Sequence, residues 1–396
     1  MGGVSLQGLA FGTYDDPKGL ELRGLELMNN NNVEEGLSLL LKAIKLYESV
    51  GAYESAGRVY QFLGEQYLKI GDERTAEQFL KRGAYYYSIV IENKAQNIKT
   101  IRDVRALDRL ASKILLIFNE LGDEERIRKY ALEFGKLFET IAQENSGMLR
   151  TILLEYAYFY YKLTGESDLI ESVILNLLDN YEEEIRKAKK ERNYVIMGEY
   201  YRKSAHLTLE LEGLGDNYIS LMKDSGKYFE NAGKEFYARG QLANAGKYLV
   251  EAEYSYLLAG DTKRAKLIAN NVIRILKQQL VQHQSEGNRE VVEDVLMNLA
   301  KAYMGVGLID EALHYYSKLI EDFFNLAHRF KIRYYAVLYA IGSGGEEYLN
   351  ELIALKQLLM RTHDDLQLLE GIQEFAMRIP LLSDIFRKIS QVEGFY

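Results

Sequence analysis

The chain of 396 residues contains no cysteine, no tryptophan and two prolines. Each absence excludes something. Without cysteine there are no disulfides, no thiolate zinc sites and no cysteine nucleophile. Average usage would place about twenty prolines in such a chain, yet the whole stretch between Pro17 and Pro380 has none. That excludes collagen-like and proline-rich disordered chains. It also argues against an all-β protein, whose many turns need such residues. Proline costs a helix interior about 3 kcal/mol, so a long proline-free chain reads as helix after helix.

Long apolar runs are missing too. The best, residues 151–163, is broken by Glu155 and Lys162, so no membrane span is expected. The first residues lack a basic segment followed by an apolar one, so no signal peptide is expected and the chain reads as cytosolic. Net charge is −9, which argues against a dedicated nucleic-acid binder. Tyrosine is abundant, at 31 residues. Tyrosine suits thin, amphipathic helix–helix contacts, with the ring buried and the hydroxyl wet.

Turn signals recur at Gly71-Asp72, Gly122-Asp123, Gly165-Glu166, Gly215-Asp216, Gly240-Gln241, Gly260-Asp261, Gly287-Asn288 and Gly307-Leu308. The glycine suits the left-handed position after a helix, and the polar residue suits the start of the next. The asparagine run 29–32 plays the same part. The spacing predicts roughly 16–18 helices of about 15–23 residues.

Aligning the turns gives repeats. One unit reads Tyr60, Leu63, Gly64, Tyr67, Gly71, Ala76, Leu80, Gly83. A second reads Phe229, Ala232, Gly233, Phe236, Gly240, Ala245, Leu249, Ala252. A third reads Leu296, Leu299, Ala300, Tyr303, Gly307, Ala312, Tyr316, and a weaker fourth reads Gly24, Leu27, Asn31, Gly36, Leu40, Ala43. This resembles the tetratricopeptide pattern without its closing proline. Small residues at Gly64, Ala76, Gly233 and Ala245 let antiparallel helices approach, and Tyr67, Leu80, Phe236 and Leu249 fill the space beside them. Gly240 and Gly260 lie so close that helix 242–259 must end one unit and begin the next.

The expected fold is therefore all-α: a right-handed α-solenoid of tetratricopeptide-like helical hairpins with a C-terminal helical cap. Residues 1–16 form an N-terminal tail, 17–345 the hairpin array and 346–396 a C-terminal bundle, after a break at Gly342-Ser343-Gly344-Gly345. Pro17 and Pro380 each suit the first turn of a helix.

Residues 298–320, with Leu299, Ala300, Tyr303, Gly307, Ala312 and Tyr316, resemble the penultimate hairpin of the soluble NSF-attachment proteins (the α-SNAP family). Residues 331–340 resemble that family's following helix, and the overlapping hairpins from Ala232 to Ala269 are similar in style. The resemblance covers about residues 197–380. It implies a twisted sheet of hairpins that holds a helical or coiled-coil, SNARE-like partner in a concave groove. It also implies a C-terminal bundle that recruits an AAA ATPase, in the setting of vesicle trafficking and membrane fusion. SNAP-like proteins carry a hydrophobic loop near the N-terminus. The apolar stretch from Val4 to Phe11 therefore has two readings: a tail touching a membrane or partner, or Leu9 and Phe11 packed on the first hairpin.

No catalytic motif stands out, and no enzyme activity, cofactor or metal site is expected. The histidines are His206, His283, His314, His328 and His363, none paired at helical metal spacing. Glu311 and His314 form half of a di-iron motif with no second copy. No glycine-rich nucleotide loop or nucleophile elbow occurs. The candidate residues are instead for partner binding. A basic run holds Arg186, Lys187, Lys189, Lys190 and Arg192. A second holds Arg329, Lys331 and Arg333. Tyr200, Tyr201 and the trio Tyr85 to Tyr87 are possible anchors, since tyrosine is enriched at hot spots. Against each stands the plainer reading of charges on a solvated face or rings packed between helices. The function expected is a non-enzymatic interaction scaffold or adaptor. The alternative is a ligand- or peptide-sensing helical-repeat regulator.

Overall fold

The computed structural model describes residues 16–30 and 32–322. The N-terminal stretch from Val4 to Phe11, the second basic run, the Gly342–Gly345 break, Pro380 and the C-terminal bundle all lie outside the described residues. Among the described residues there are fourteen α-helices and no strand. None of these helices is long and apolar enough to cross a membrane. The chain divides into two compact units, Met1–Ile170 and Glu171–Tyr396.

The first unit holds α1 (Pro17–Asn29), α2 (Val33–Ser49), α3 (Tyr53–Lys69), α4 (Glu73–Ala95), α5 (Ile101–Glu120), α6 (Glu124–Gln143) and α7 (Gly147–Thr164). The pairs α1/α2, α3/α4 and α6/α7 are antiparallel hairpins, with α5 packed on α4, α6 and α7. α8 (Ser167–Glu191) carries the chain into the second unit. There α9 (Tyr194–Glu212), α10 (Asp216–Ala238), α11 (Leu242–Leu258), α12 (Thr262–Glu286), α13 (Arg289–Gly305) and α14 (Ile309–Asp322) each pack on the next. The architecture of the described residues is all-α, in tandem helical hairpins.

The helix ends follow from the turn chemistry. Nine helices end on a glycine in the left-handed region, among them Gly71, Gly122, Gly240, Gly260 and Gly307. The next N–H then reaches back over the turn: Asp72 to the Tyr67 carbonyl at 3.0 Å, Asp123 to Phe118 at 2.9 Å and Asp261 to Tyr256 at 2.8 Å. The same aspartates cap the following helices, accepting from the N–H groups of Thr75 at 3.1 Å, Arg126 at 3.0 Å and Arg264 at 3.1 Å. One expected turn shifts: Gly213, not Gly215, takes the left-handed conformation, and Gly215 precedes α10 with extended backbone. Pro17 does open α1, behind Asp16 as the cap.

Small residues set the helix spacing. A Cβ placed on Gly233 of α10 would sit 2.7 Å from Leu249 Cγ of α11, and Gly64 of α3 meets Leu80 of α4 in the same way. Any larger residue would force the leucine to shift. α11 is shared, because its Gly246 receives Leu276 of α12 while its Tyr256 covers Gly226 of α10. Helix 242–259 thus ends one hairpin and begins another, as the glycine spacing requires.

Candidate functional site

The aromatic pattern is more regular than the repeats read from the sequence. An aromatic residue four positions before the turn glycine stacks on one eight positions after it. The ring centroids are 5.4 Å apart for Tyr67–Phe79, 5.1 Å for Phe118–Tyr130, 5.2 Å for Phe236–Tyr248 and 5.6 Å for Tyr303–Tyr315. All four pairs are nearly parallel, at 13–15°. These rings lock the α3/α4, α5/α6, α10/α11 and α13/α14 pairs next to their turns and use five of the 31 tyrosines.

Deeper in the hairpins the tyrosine hydroxyls are used. Tyr47 donates to Glu21 at 2.7 Å, Tyr87 to Gln61 at 3.0 Å and Tyr256 to Glu230 at 3.3 Å, each across 26 residues. Glu21 and Glu230 are buried, and each has a cation: Arg58 grips Glu21, and Arg264 with Lys234 grips Glu230, both at 2.6 Å. Burial opposes the charge on Glu230, but Arg264 and Lys234 overcome it and hold the carboxyl below its ordinary value. Burial, then Glu230 itself, pushes the Tyr256 hydroxyl up to about 12. These clusters hold the fold together. They also show why a buried carboxylate here need not signal catalysis.

Among the sequence candidates, the first basic run splits in two. Arg186 pairs with Glu182 at 3.0 Å, and Lys187 pairs with Glu183 at 3.0 Å and Glu184 at 2.8 Å. Lys189, Lys190 and Arg192 are exposed, and among the described residues no side-chain partner holds them. Tyr200 is only 6% exposed. Its ring packs 5.2 Å from Tyr181 of α8, with the Lys203 ammonium 5.8 Å from both rings. It is a core residue joining α8 to α9. Tyr201 is half-buried and stacks on Tyr228 of α10 at 5.3 Å, and Tyr194 lies on the same Tyr228 at 6.5 Å. Burial, and after it Tyr228 and Asp224, raises the Tyr201 hydroxyl above its ordinary range. The Lys227 ammonium lies 5.6 Å over Tyr228. Tyr85 is 60% exposed and meets Tyr86 edge-on, while Tyr87 is fully buried. Arg329, Lys331 and Arg333 lie outside the described residues.

The sequence reading missed one cluster. Glu251 of α11 pairs with Arg202 of α9 and with Lys301 of α13, the latter at 3.5 Å. Arg202 also lies 5.2 Å over the Phe229 ring. These residues are some fifty positions apart, and no local spacing announces them. His283 sits between Gln279 at 3.1 Å and Glu286 at 3.0 Å on its own helix, and His314 meets Tyr315 edge-on at 5.3 Å. Among the described residues no group of three or more histidine, aspartate or glutamate side chains is placed to hold a metal ion. A shallow depression of about 330 Å³ lies beside His283, Gly287, Arg289 and Asp322.

The chemistry on offer is therefore aromatic stacking, cation–π contact and carboxylate pairing.

No family model and no curated protein matches the chain. Among solved structures, a circular tandem repeat protein with a novel repeat topology aligns over 95% of this chain and 94% of its own, at 16% identity and a TM-score of 0.30. A signal-transduction ATPase with a tetratricopeptide repeat sensor from Pyrococcus horikoshii aligns over 98% of this chain and 56% of its own, at 12% identity and a TM-score of 0.31. Yeast Tom70 aligns over 95% and 99%, at 13% identity and a TM-score of 0.17. Likenesses at this level assign neither a family nor a function.

Proposed function

We propose that this chain is a protein-binding scaffold. The observation that carries the reading is the half-buried tyrosine stack of Tyr194, Tyr228 and Tyr201, flanked by Lys227 and placed beside the basic end of α8. Rigid aromatic rings with one wet edge, next to cations, are the groups that anchor protein interfaces. Neighbouring helices hold them in place, so little order has to be created on binding.

The finer version of this proposal is a SNAP-like adaptor that binds a helical or coiled-coil partner and recruits an AAA ATPase. It rests on the sequence resemblance of residues 298–320 and 232–269. Peripheral contact with a membrane belongs to that version as well.

The test is affinity capture with the full chain, identification of bound proteins, and titration of each purified hit by calorimetry. The scaffold reading expects one hit to form a stoichiometric complex that Tyr201→Ala with Tyr228→Ala weakens. Absence of any stoichiometric complex would count against it. An AAA ATPase or a coiled-coil membrane protein among the hits would support the SNAP-like version, and a hit of neither kind would remove it.

A further inference from the structure

Nine helices end on a left-handed glycine, but α8 ends on Arg192, at φ 54°. No other non-glycine residue among the described ones has a positive φ. The turn is otherwise of the common kind. The Asn193 N–H reaches the Ala188 carbonyl at 2.9 Å, and Asn193 caps α9 by accepting from the Ile196 N–H at 3.2 Å. Glycine would satisfy this geometry without strain, whereas a residue with a Cβ is strained there.

The fold gains nothing visible from the Arg192 side chain. Its guanidinium is exposed, and so are the Lys189 and Lys190 ammonium groups in the preceding turn. Among the described residues none of the three has an ion-pair partner, although Arg186 and Lys187 just before them are paired with Glu182, Glu183 and Glu184. Three cations without an ion-pair partner thus crowd a strained turn. Two residues further on, Tyr194 begins the stack with Tyr228 and Tyr201. Strain kept where the fold does not use it points to an external ligand.

We infer that the α8–α9 turn is a docking point for a short acidic segment of a partner protein. Its carboxylates pair with Lys189, Lys190 and Arg192, and an apolar or aromatic side chain lies on the tyrosine stack. A guanidinium takes a carboxylate in a two-point grip that an ammonium cannot reproduce. Charge complementarity selects the occupant. Glu182, Glu183, Glu184 and Glu191 lie close along the same helix, and the chain carries −9 overall. A long polyanion or an anionic membrane would meet all of these carboxylates, while a segment of a few residues meets Glu191 alone, between Lys190 and Arg192. The inference rests on the scaffold reading.

The probe is a fluorescein-labelled peptide of five glutamates and one phenylalanine, titrated into the full chain at low and high salt and followed by anisotropy. Its glutamine counterpart is the control. The expected result is salt-sensitive binding that weakens about ten-fold in the triple variant Lys189→Gln, Lys190→Gln, Arg192→Gln. Arg192→Gly should also weaken binding while melting no lower than the parent, which a purely structural role would not produce.

Equal binding by parent and triple variant, or equal binding of the glutamine peptide, overturns the inference. So does tighter binding of phosphatidylserine vesicles or of single-stranded DNA through the same three residues. The two readings fail in distinguishable ways. A captured partner that binds the triple variant as tightly as the parent leaves the scaffold and removes this site. Acidic-peptide binding that depends on the three residues, with no stoichiometric protein complex, removes the scaffold and with it the protein partner inferred for this turn.

Discussion

Tyr256 donates its hydroxyl to the buried Glu230 across a helical hairpin, 26 residues back in the chain, at 3.3 Å. The same separation joins Tyr47 to Glu21 and Tyr87 to Gln61. The ring covers a glycine on the facing helix, Gly226 under Tyr256 and Gly57 under Tyr87, both at 3.1 Å from an added Cβ. A small residue, a ring and a polar acceptor thus form one device that recurs in both units.

Removing the acceptor should cost more than removing the donor. Tyr256→Phe leaves Glu230 with Arg264 and Lys234, so about 1 kcal/mol is expected. Glu230→Ala leaves the Tyr256 hydroxyl without its buried acceptor and frees the half-exposed Arg264 and Lys234, so about 2 kcal/mol is expected. Urea unfolding of the full chain checks both values. Equal losses would contradict the assigned order.

The same carboxylate predicts an acid response. Its folded value lies below the ordinary 4.5, held there by Arg264 and Lys234 against burial. Its contribution is therefore present above 4.5 and is lost as pH falls through the lower folded value. Stability measured from pH 6 downward should fall more steeply in the parent than in Glu230→Gln. Parallel curves would show that Glu230 is not held low.

The close approach of α10 and α11 is open to a steric test. Gly233→Ala places a methyl 2.7 Å from Leu249 Cγ, and about 1–3 kcal/mol of destabilisation is expected. Leu249→Ala opens room for that methyl. The double variant should then be more stable than the sum of the single effects by at least about 0.5 kcal/mol. Simple additivity in urea melts would place the crowding elsewhere.

Arg192→Gly should raise stability by about 1 kcal/mol, because it relieves a left-handed side-chain residue at a glycine position. A gain in thermal midpoint checks this. A clear loss would mean that the Arg192 side chain serves the fold.

Tyr200 and Tyr201 look alike in sequence, but the structure separates them. Tyr200→Ala empties a buried site between α8 and α9 and should cost about 3–4 kcal/mol. Tyr201→Ala should cost much less, since that ring is half-exposed and stacked on Tyr228. Denaturant midpoints distinguish the two.

Much of this fold was legible in the sequence. The Gly71-Asp72, Gly122-Asp123 and Gly260-Asp261 pairs mark turns because left-handed backbone and helix capping are local demands. Gly64 with Leu80, and Gly233 with Leu249, mark hairpins because small-against-large packing recurs at fixed offsets from those turns. The stacked pairs, such as Tyr67 with Phe79, follow a fixed spacing across the turn glycine and could have been found by aligning on it. Other features had no local signature. The bridge from Arg202 through Glu251 to Lys301 depends on which helices meet. The division of the basic run into the paired Arg186 and Lys187 and the unpaired Lys189, Lys190 and Arg192 depends on side-chain reach. Arg192 itself was visible only as a charge, because a residue in a glycine's conformation shows no sign of it in the sequence.

The central claim is that this hairpin array presents a preformed protein-binding surface around Tyr194, Tyr201, Tyr228 and the end of α8. Hydrogen–deuterium exchange of the full chain, with and without its purified captured partner, tests it most directly. The account predicts new protection at the α8–α9 turn and along α9 and α10 at saturating partner. Protection confined to other helices, with residues 186–228 unchanged, would contradict it.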